Sequence, residues 1–302
     1  MNNKPKTIRE QMDGIREAQI LVCTMGKLYE FLFNPKCKCI KLDYLKAICI
    51  DEFDVLIESN SDRSNRSSNI LSVEQQIQSI IKELPKKRTQ RVFFSATVSQ
   101  EALNIAIKYF RQYDPYLKEP LLVVLDQEKY TLDGIKQYYV KVDSFDTKKE
   151  VLKDIINQCR ISQCIIFINR IETANKIKEL LDSMPVSISS EILHSSLDNE
   201  MRDNVQRGFK NGKFRYLIAT NLISRGFDVQ SVNLVINFDM PDDERTYTHR
   251  IGRSGRYGRK GTAISFVLVN NRINEMLRVD DLNKSSKTNK LVELPGDLQN
   301  LL

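Results

Sequence analysis

An α/β chain of two parallel-sheet layers is the fold class this sequence predicts, and three observations predict it. Short apolar runs of strand length alternate with segments of helical spacing. That alternation restarts after a polar stretch, Asp126 to Asp133. The length, 302 residues, suits about two domains.

Along the first half, Leu45-Lys-Ala-Ile-Cys-Ile50 has the length of a buried strand. Ser72 to Leu84 carries apolar residues at helical spacing (Val73, Ile77, Ile80, Ile81, Leu84), and Pro85 stops it. Arg91-Val-Phe-Phe94 is the next strand, and Ser99 caps a helix over Leu103, Ile107 and Phe110. Leu121 to Leu125 is predicted as a further strand. Asn60 to Asn69, rich in Ser, Asn and Arg, reads as a surface loop.

In the second half, Ile135 to Val142 alternates like a half-buried strand. Helices are predicted over Lys148 to Cys159, Ile171 to Leu181 and Asn199 to Phe209. Between and after them come strands Cys164 to Ile168, Ile188 to Leu193, Arg215 to Ala219, Val232 to Phe238 and Thr262 to Val269. The joint falls near Lys129, giving domains 1–128 and 129–302. The first offers about three strands, few for an independent α/β layer; the second offers five or six and reads as complete.

Composition narrows the function classes. Hydrophobic residues make up 41% and charged residues 28%, which excludes wholesale disorder. No uncharged apolar run reaches the ~18 residues of a membrane span, and Met1 to Arg16 lacks a signal-peptide core. Six cysteines in a chain this long are no disulfide framework; several lie in apolar runs, as buried thiols do in a reducing compartment, cytoplasmic or nuclear. Cys37-x-Cys39 is an isolated pair and is rejected as a metal site, and His194 reads as a packing or capping residue. The 46 Lys and Arg against 39 Asp and Glu give a net charge of +7, which permits an anionic partner.

Chemistry concentrates at strand ends, where ligands of open α/β sheets bind. Asp51-Glu52-Phe53-Asp54 follows the first strand, and Phe94-Ser95-Ala96-Thr97 the second. A carboxylate there can hold hydrated Mg²⁺ and a neighbour can orient an attacking water, while a plain acidic turn is the bland alternative. For Ser95 and Thr97 that alternative is helix capping. Thr24-Met25-Gly26-Lys27 opens a helix and suits either a phosphate contact or a simple cap. Thr220-Asn221 and Ser224-Arg225-Gly226-Phe227-Asp228 follow another strand. The densest signal is His249-Arg250-Ile251-Gly252-Arg253-Ser254-Gly255-Arg256. From Arg245 to Lys260 there are six cationic residues and no acidic one. Guanidinium forks among glycines suit phosphoryl oxygens, although a solvated charged face is the usual fate of such a run.

Taken in order, these segments resemble the DEAD-box RNA helicases over about residues 20 to 280. Asp51 to Asp54 is similar to the Asp-Glu-Ala-Asp box and Ser95-Ala96-Thr97 to the Ser-Ala-Thr motif. Ile165-Ile166-Phe167 is similar to motif IV, Ser224 to Asp228 to motif V, and His249 to Arg256 to motif VI. Leu132 to Val140, Ile166 to Asn169 and Val232 to Pro241 resemble the initiation-factor-four-A group of that family.

The resemblance implies two RecA-like parallel-sheet domains and the cofactors ATP and Mg²⁺. Asp51 would hold Mg²⁺ through water and Glu52 would position the attacking water. Asp54 would couple the box to Ser95 and Thr97, and Asp228 would lie near the ribose. Arg253 and Arg256 would be arginine fingers, with His249 and Arg250 coupling. Thr24, Gly26, Lys27, Thr220 and Gly226 would follow the RNA backbone, contacts that position without reading sequence. The implied partners are RNA and translation or mRNA-processing scaffolds, with no membrane and a monomeric state.

Departures from the family pattern qualify this. Phe53 replaces the box alanine, where its bulk is expected to overpack. Lys27 replaces an arginine, Met25 a proline, and Asn199-x-x-Arg202 stands for Gln-x-x-Arg. No Gly-x₄-Gly-Lys-Ser/Thr occurs: Gly26-Lys27 is followed by Leu28 and Gly212-Lys213 by Phe214. The first lobe is therefore expected to be N-terminally truncated, with the adenine-reading and P-loop segments upstream. Two readings follow, an ATP-dependent RNA helicase and a non-catalytic RNA-binding or scaffold fragment.

Overall fold

The computed structural model describes residues 7–53, 56, 71–85, 89–95, 100–113, 120–123, 134–184, 188–221, 229–255, 260–285, 290–296 and 298. The chain divides into two compact units, Met1–Val123 and Val124–Leu302. The expected joint near Lys129 and the Asn60–Asn69 loop lie outside the described residues.

In the first unit, α1 (Ile8–Glu17) starts on a capping box in which Thr7 and Glu10 satisfy each other's backbone N–H groups. α2 (Met25–Phe33) buries Phe31 and Leu32. β1 (Ala47–Ile50) pairs in parallel with β2 (Gln90–Phe93), in register Ala47 to Gln90 through Ile50 to Phe93. Between them α3 (Val73–Glu83) begins on a second capping box, Ser72 with Gln75. Its apolar face, Ile77, Ile80 and Ile81, is almost wholly buried. Each such side chain contributes about 1.5–3 kcal/mol relative to exposure. α4 (Gln100–Tyr113) follows and adds Ala102 and Tyr109 to the same core. α3 starts within a residue of the sequence expectation; α1 was not foreseen, and Ser99, the expected cap of α4, lies outside the described residues. The strand expected over Leu121–Leu125 does not form in its described part: residues 121–123 are exposed and in no strand. An apolar run becomes a strand only where a neighbour accepts its ladder bonds, and none among the described residues does.

The second unit is a seven-stranded, all-parallel sheet. Its strands are β3 (Ile135–Val142), β4 (Gln163–Phe167), β5 (Ser190–Leu193), β6 (Tyr216–Ala219), β7 (Val232–Asn237), β8 (Gly261–Leu268) and β9 (Val292–Glu293). They lie in the order β5-β6-β4-β7-β8-β3-β9. Helices α5 (Phe145–Gln158), α6 (Ile171–Asp182), α7 (Asn199–Lys210), α8 (Glu244–Ile251) and α9 (Met276–Ser285) connect or follow them. β4 and β6 are buried at every position, as strands covered on both faces must be. Leu152, Ile155, Ile177, Leu181 and the aromatic pair Phe238–Phe266 fill one face; Phe209, Phe214 and Val235 fill the other. The sequence reading gave five or six strands here; the seventh, β9, is two residues that pair with Tyr138 and Tyr139 of β3.

Cys37, Cys159 and Cys164 are buried as expected, but Cys23 and Cys49 are exposed. Among the described residues no helix is long and apolar enough to cross a membrane.

Candidate functional site

In the first unit the chemistry sits just past the ends of β1 and β2. Phe94 N–H donates to Ile50 C=O at 2.8 Å and Phe53 N–H donates to Phe94 C=O at 3.0 Å. These bonds carry the ladder beyond its last paired residues and enclose a turn of two residues, Asp51 and Glu52. Glu52 adopts φ 50°, the left-handed region that a non-glycine residue enters at a cost of about 1–3 kcal/mol. Asp51 Oδ1 accepts the Glu52 N–H at 2.9 Å, a bond that favours this turn. Asp51 is exposed and Glu52 half-buried, and Ser95 follows Phe94 directly on the adjoining strand end. The structure thus brings Asp51, Glu52 and Ser95 together. Asp54 and Thr97 lie outside the described residues.

Phe53 corrects the expectation of overpacking. Its ring is 3% exposed, stacks on Phe93 (centroids 4.5 Å apart, planes at 22°) and meets Tyr109 edge-on at 6.2 Å. It belongs to the core that α3 and α4 cover.

Thr24 occupies the N-cap position of α2, yet its side chain makes no capping hydrogen bond, so the simple-cap reading does not account for it. Gly26 is exposed, and Lys27 Nζ donates to Glu30 Oε2 at 2.6 Å while lying 5.3 Å from the Phe31 ring centre. The bond from Lys27 is the main reason Glu30 titrates below its ordinary value.

In the second unit the loops after β4, β6 and β7, neighbours in the sheet, converge on α8. Asp243 caps this helix, its carboxylate accepting the Thr246 N–H and hydroxyl, both at 2.7 Å. Burial pushes the Asp243 carboxyl up, but these two bonds and the charge of Arg245 outweigh it, and its pKa is lowered. Tyr247 and Ile251 anchor the inner face, and Tyr247 O–H donates to Gln137 of β3 at 3.0 Å.

Arg250, on the last turn, is fully buried. Its guanidinium donates to Asn221 Oδ1 at 2.9 and 2.5 Å, to Asn169 Oδ1 at 2.7 Å and to the Asp239 C=O at 2.7 Å. A longer contact, 3.4 Å, reaches Asn237 Oδ1, and the Phe167 ring lies beneath at 5.1 Å. Every one of these acceptors is a neutral amide oxygen. Burial lowers the guanidinium's pKa to about 10 against the opposing charges of Asp239, Asp242 and Asp243, so it stays cationic at neutral pH.

Asp239 is itself held: Lys148 Nζ reaches its Oδ1 at 2.9 Å and the Asn169 N–H reaches its Oδ2 at 3.0 Å. A single fastening therefore joins the ends of three strands to α8. Beyond it, Arg253 is buried, its Nε donating to the His249 C=O at 3.0 Å, and half-buried His249 lies one turn earlier. Thr220 precedes Asn221 at the end of β6. Gly255 takes φ 68°, and Gly261 fits against it so closely that an added Cβ would lie 2.5 Å from the Gly255 nitrogen. Gly226, Asp228 and Arg256 lie outside the described residues.

Sequence reasoning placed Arg250, Arg253, His249 and Thr220 here. It missed Asn169, Asn237 and Asp239 as parts of the site. Their signal was present, as polar residues closing otherwise apolar strands.

The sheet of the second unit and the residues at its carboxyl ends define a parallel α/β domain of the class that binds its ligands at that edge. Residues 2–105 match the DEAD/DEAH box helicase family and residues 147–258 the helicase conserved C-terminal domain. A candidate ATP-dependent RNA helicase of Acanthamoeba polyphaga mimivirus is 52% identical over 309 residues, covering 100% of this chain and 58% of that protein. Saccharomyces cerevisiae eIF4A is 35% identical, covering 97% of this chain and 67% of that protein. S. cerevisiae Dbp5 bound to RNA and ADP BeF3 superposes with TM-score 0.71 at 30% identity, over 91% of this chain and 66% of that one. The chain belongs to the DEAD-box helicase family, with two RecA-like domains. It spans 58% of the mimivirus relative's length and about two thirds of the yeast proteins'.

Proposed function

We propose that this chain carries the working parts of an ATP-dependent RNA helicase of the initiation-factor-four-A group, coupling ATP hydrolysis to RNA binding and local duplex separation. The observation that carries this reading is the delivery of Arg253 by a helix whose preceding turn is locked, through Arg250, to three strand ends of one parallel sheet. An arginine held this way costs little reorganisation when negative charge develops on a transferring phosphoryl group.

The donor set fits Mg²⁺. Asp51 is an exposed hard-oxygen ligand beside a second carboxylate, which suits an ion that keeps most of its water and takes one carboxylate plus substrate phosphates. Mg²⁺ held there by Asp51 through water would neutralise phosphate charge. Glu52 orients the attacking water and accepts its proton. Arg253 and Arg256 stabilise charge on the γ-phosphoryl oxygens, and Asp228 holds the ribose. Asp54 couples the box to Ser95 and Thr97. Thr24, Gly26, Lys27, Thr220 and Gly226 contact the RNA backbone, so binding falls with salt and depends little on sequence.

A second reading, a non-catalytic RNA-binding protein, rests on the absence of a Gly-x₄-Gly-Lys-Ser/Thr run in these 302 residues. RNA-stimulated ATPase assays on the chain, with Asp51→Asn and Arg253→Ala controls, separate the two. Turnover that both substitutions lower at least about 10²-fold supports the helicase. Salt-sensitive RNA binding with no turnover supports the second reading.

A further inference from the structure

The box of this chain carries a phenyl ring, and that ring lies on the core side of the carboxylate turn. Asp51 and Glu52 are bracketed by two backbone bonds to a single residue, Phe94. Ser95 is the next residue along. Immediately beneath, Phe53 stacks on Phe93, Phe93 packs on Phe110 at 4.8 Å, and Phe53 meets fully buried Tyr109 edge-on. Tyr109 O–H in turn donates to Glu74 of α3 at 3.4 Å. The turn itself holds a left-handed glutamate, a conformation that persists only where its surroundings fix it. The stack of buried Phe53 on half-buried Phe93 supplies that constraint, because closely packed rings resist sliding.

We propose that Phe53 is a positioning residue: its stack on Phe93 fuses the turn that carries Asp51 and Glu52 with the strand end that carries Ser95 into one rigid piece. The mechanical part stands on geometry within one unit. Its catalytic consequence rests on the helicase reading above.

The test is backbone amide exchange on the full chain, comparing wild type with Phe53→Leu and Phe53→Ala. Leucine keeps apolar bulk without a stack; alanine removes both. The expected result is faster exchange at the Phe53, Phe94 and Leu56 amides, by about threefold or more in the leucine variant and about tenfold or more in the alanine variant. The α3 amides of Ile80 and Ile81 should change by less than about twofold in the leucine variant. A leucine variant with wild-type exchange at the turn overturns the proposal. So does one in which turn and α3 amides accelerate equally, since that describes an ordinary core residue. Because leucine retains the bulk, the comparison decides even if the alanine variant fails to fold. Where wild type shows RNA-stimulated turnover, Phe53→Leu should lower kcat several-fold with KM for ATP unchanged, and Phe53→Tyr should restore it. Absence of turnover in wild type counts against the helicase reading alone, and the exchange pattern then decides the proposal independently.

Discussion

Replacing Arg250 by alanine should loosen the whole second sheet. Three acceptors lie within 2.9 Å of its guanidinium, from Asn221, Asn169 and Asp239. Hydrogen bonds to a charged donor contribute about 1.5–3 kcal/mol each, so the gross loss is roughly 5–9 kcal/mol. Against this, the lowering of its pKa to about 10 means that holding the charge in a buried place costs on the order of 3 kcal/mol, a cost that alanine removes. Asn169 and Asn221 are exposed and regain water, which trims the loss further. The net is about 2–5 kcal/mol, or about 1.5 to 3.5 decades in amide exchange of the sheet core. The assay is native-state hydrogen exchange at Ile165 and Ile166 of β4 and at Val235 and Ile236 of β7, with Ile80 and Ile81 of α3 as internal reference. Less than about fivefold acceleration would refute the reasoning, because water would then be filling the place of the guanidinium at no cost.

Other perturbations follow from the same geometry. Asp243→Ala should cost about 1 kcal/mol of stability at pH 7 in urea unfolding, the usual value of an N-cap. Asp243 has a folded pKa below its ordinary 3.8, so its contribution is full above that value and is lost as pH falls through the folded pKa. Asp243→Asn should keep the cap and flatten this acid loss. Gly261→Ala should displace the Ser254–Gly255 turn, since its Cβ would meet backbone at 2.5 Å and 2.9 Å. The expected cost is about 1–3 kcal/mol, with salt-sensitive RNA binding and any ATPase activity falling together. Lys148→Met should destabilise by about 2 kcal/mol, less than a fully buried pair, because the Asp239 side chain keeps 23% of its exposure. In that variant the Asn169 amide should exchange faster.

Strands such as β4 and β6 were legible because they are covered on both faces and read as apolar runs, and β3 because it alternates. α5, α6 and α7 were legible because one face of each is apolar; α8 and α9 were not foreseen. What escaped had tertiary causes. β9 is two residues whose pairing is dictated by the open side of β3, and no periodicity can show that. α1 is the exception, a local miss: the capping box of Thr7 and Glu10 and the helical spacing of Ile8, Met12 and Ile15 were present but unread. Leu121 to Val123 had the composition of a strand and no partner among the described residues. Phe53 was judged against the ligand side of its turn, whereas Tyr109, fifty-six positions later, gives it a place in the core. The asparagines around Arg250 come from three strand ends far apart in sequence, and only the sheet order makes them neighbours.

That order also bears on how the protein is made. β3 is the first strand of its unit to leave the ribosome, yet its two sheet neighbours are β8 and β9, the last to be synthesised. Leu298, beyond β9, packs in the same core and accepts from the Cys159 thiol at 3.6 Å. The first strand of the unit must therefore wait, unpaired, until β8 and β9 have been made. Such long-range pairing is slow and leaves apolar strand exposed meanwhile. A stop codon before Val292 would remove both β9 and Leu298. The nascent second unit would then be left with an open edge beside β3, a substrate for chaperones and proteases.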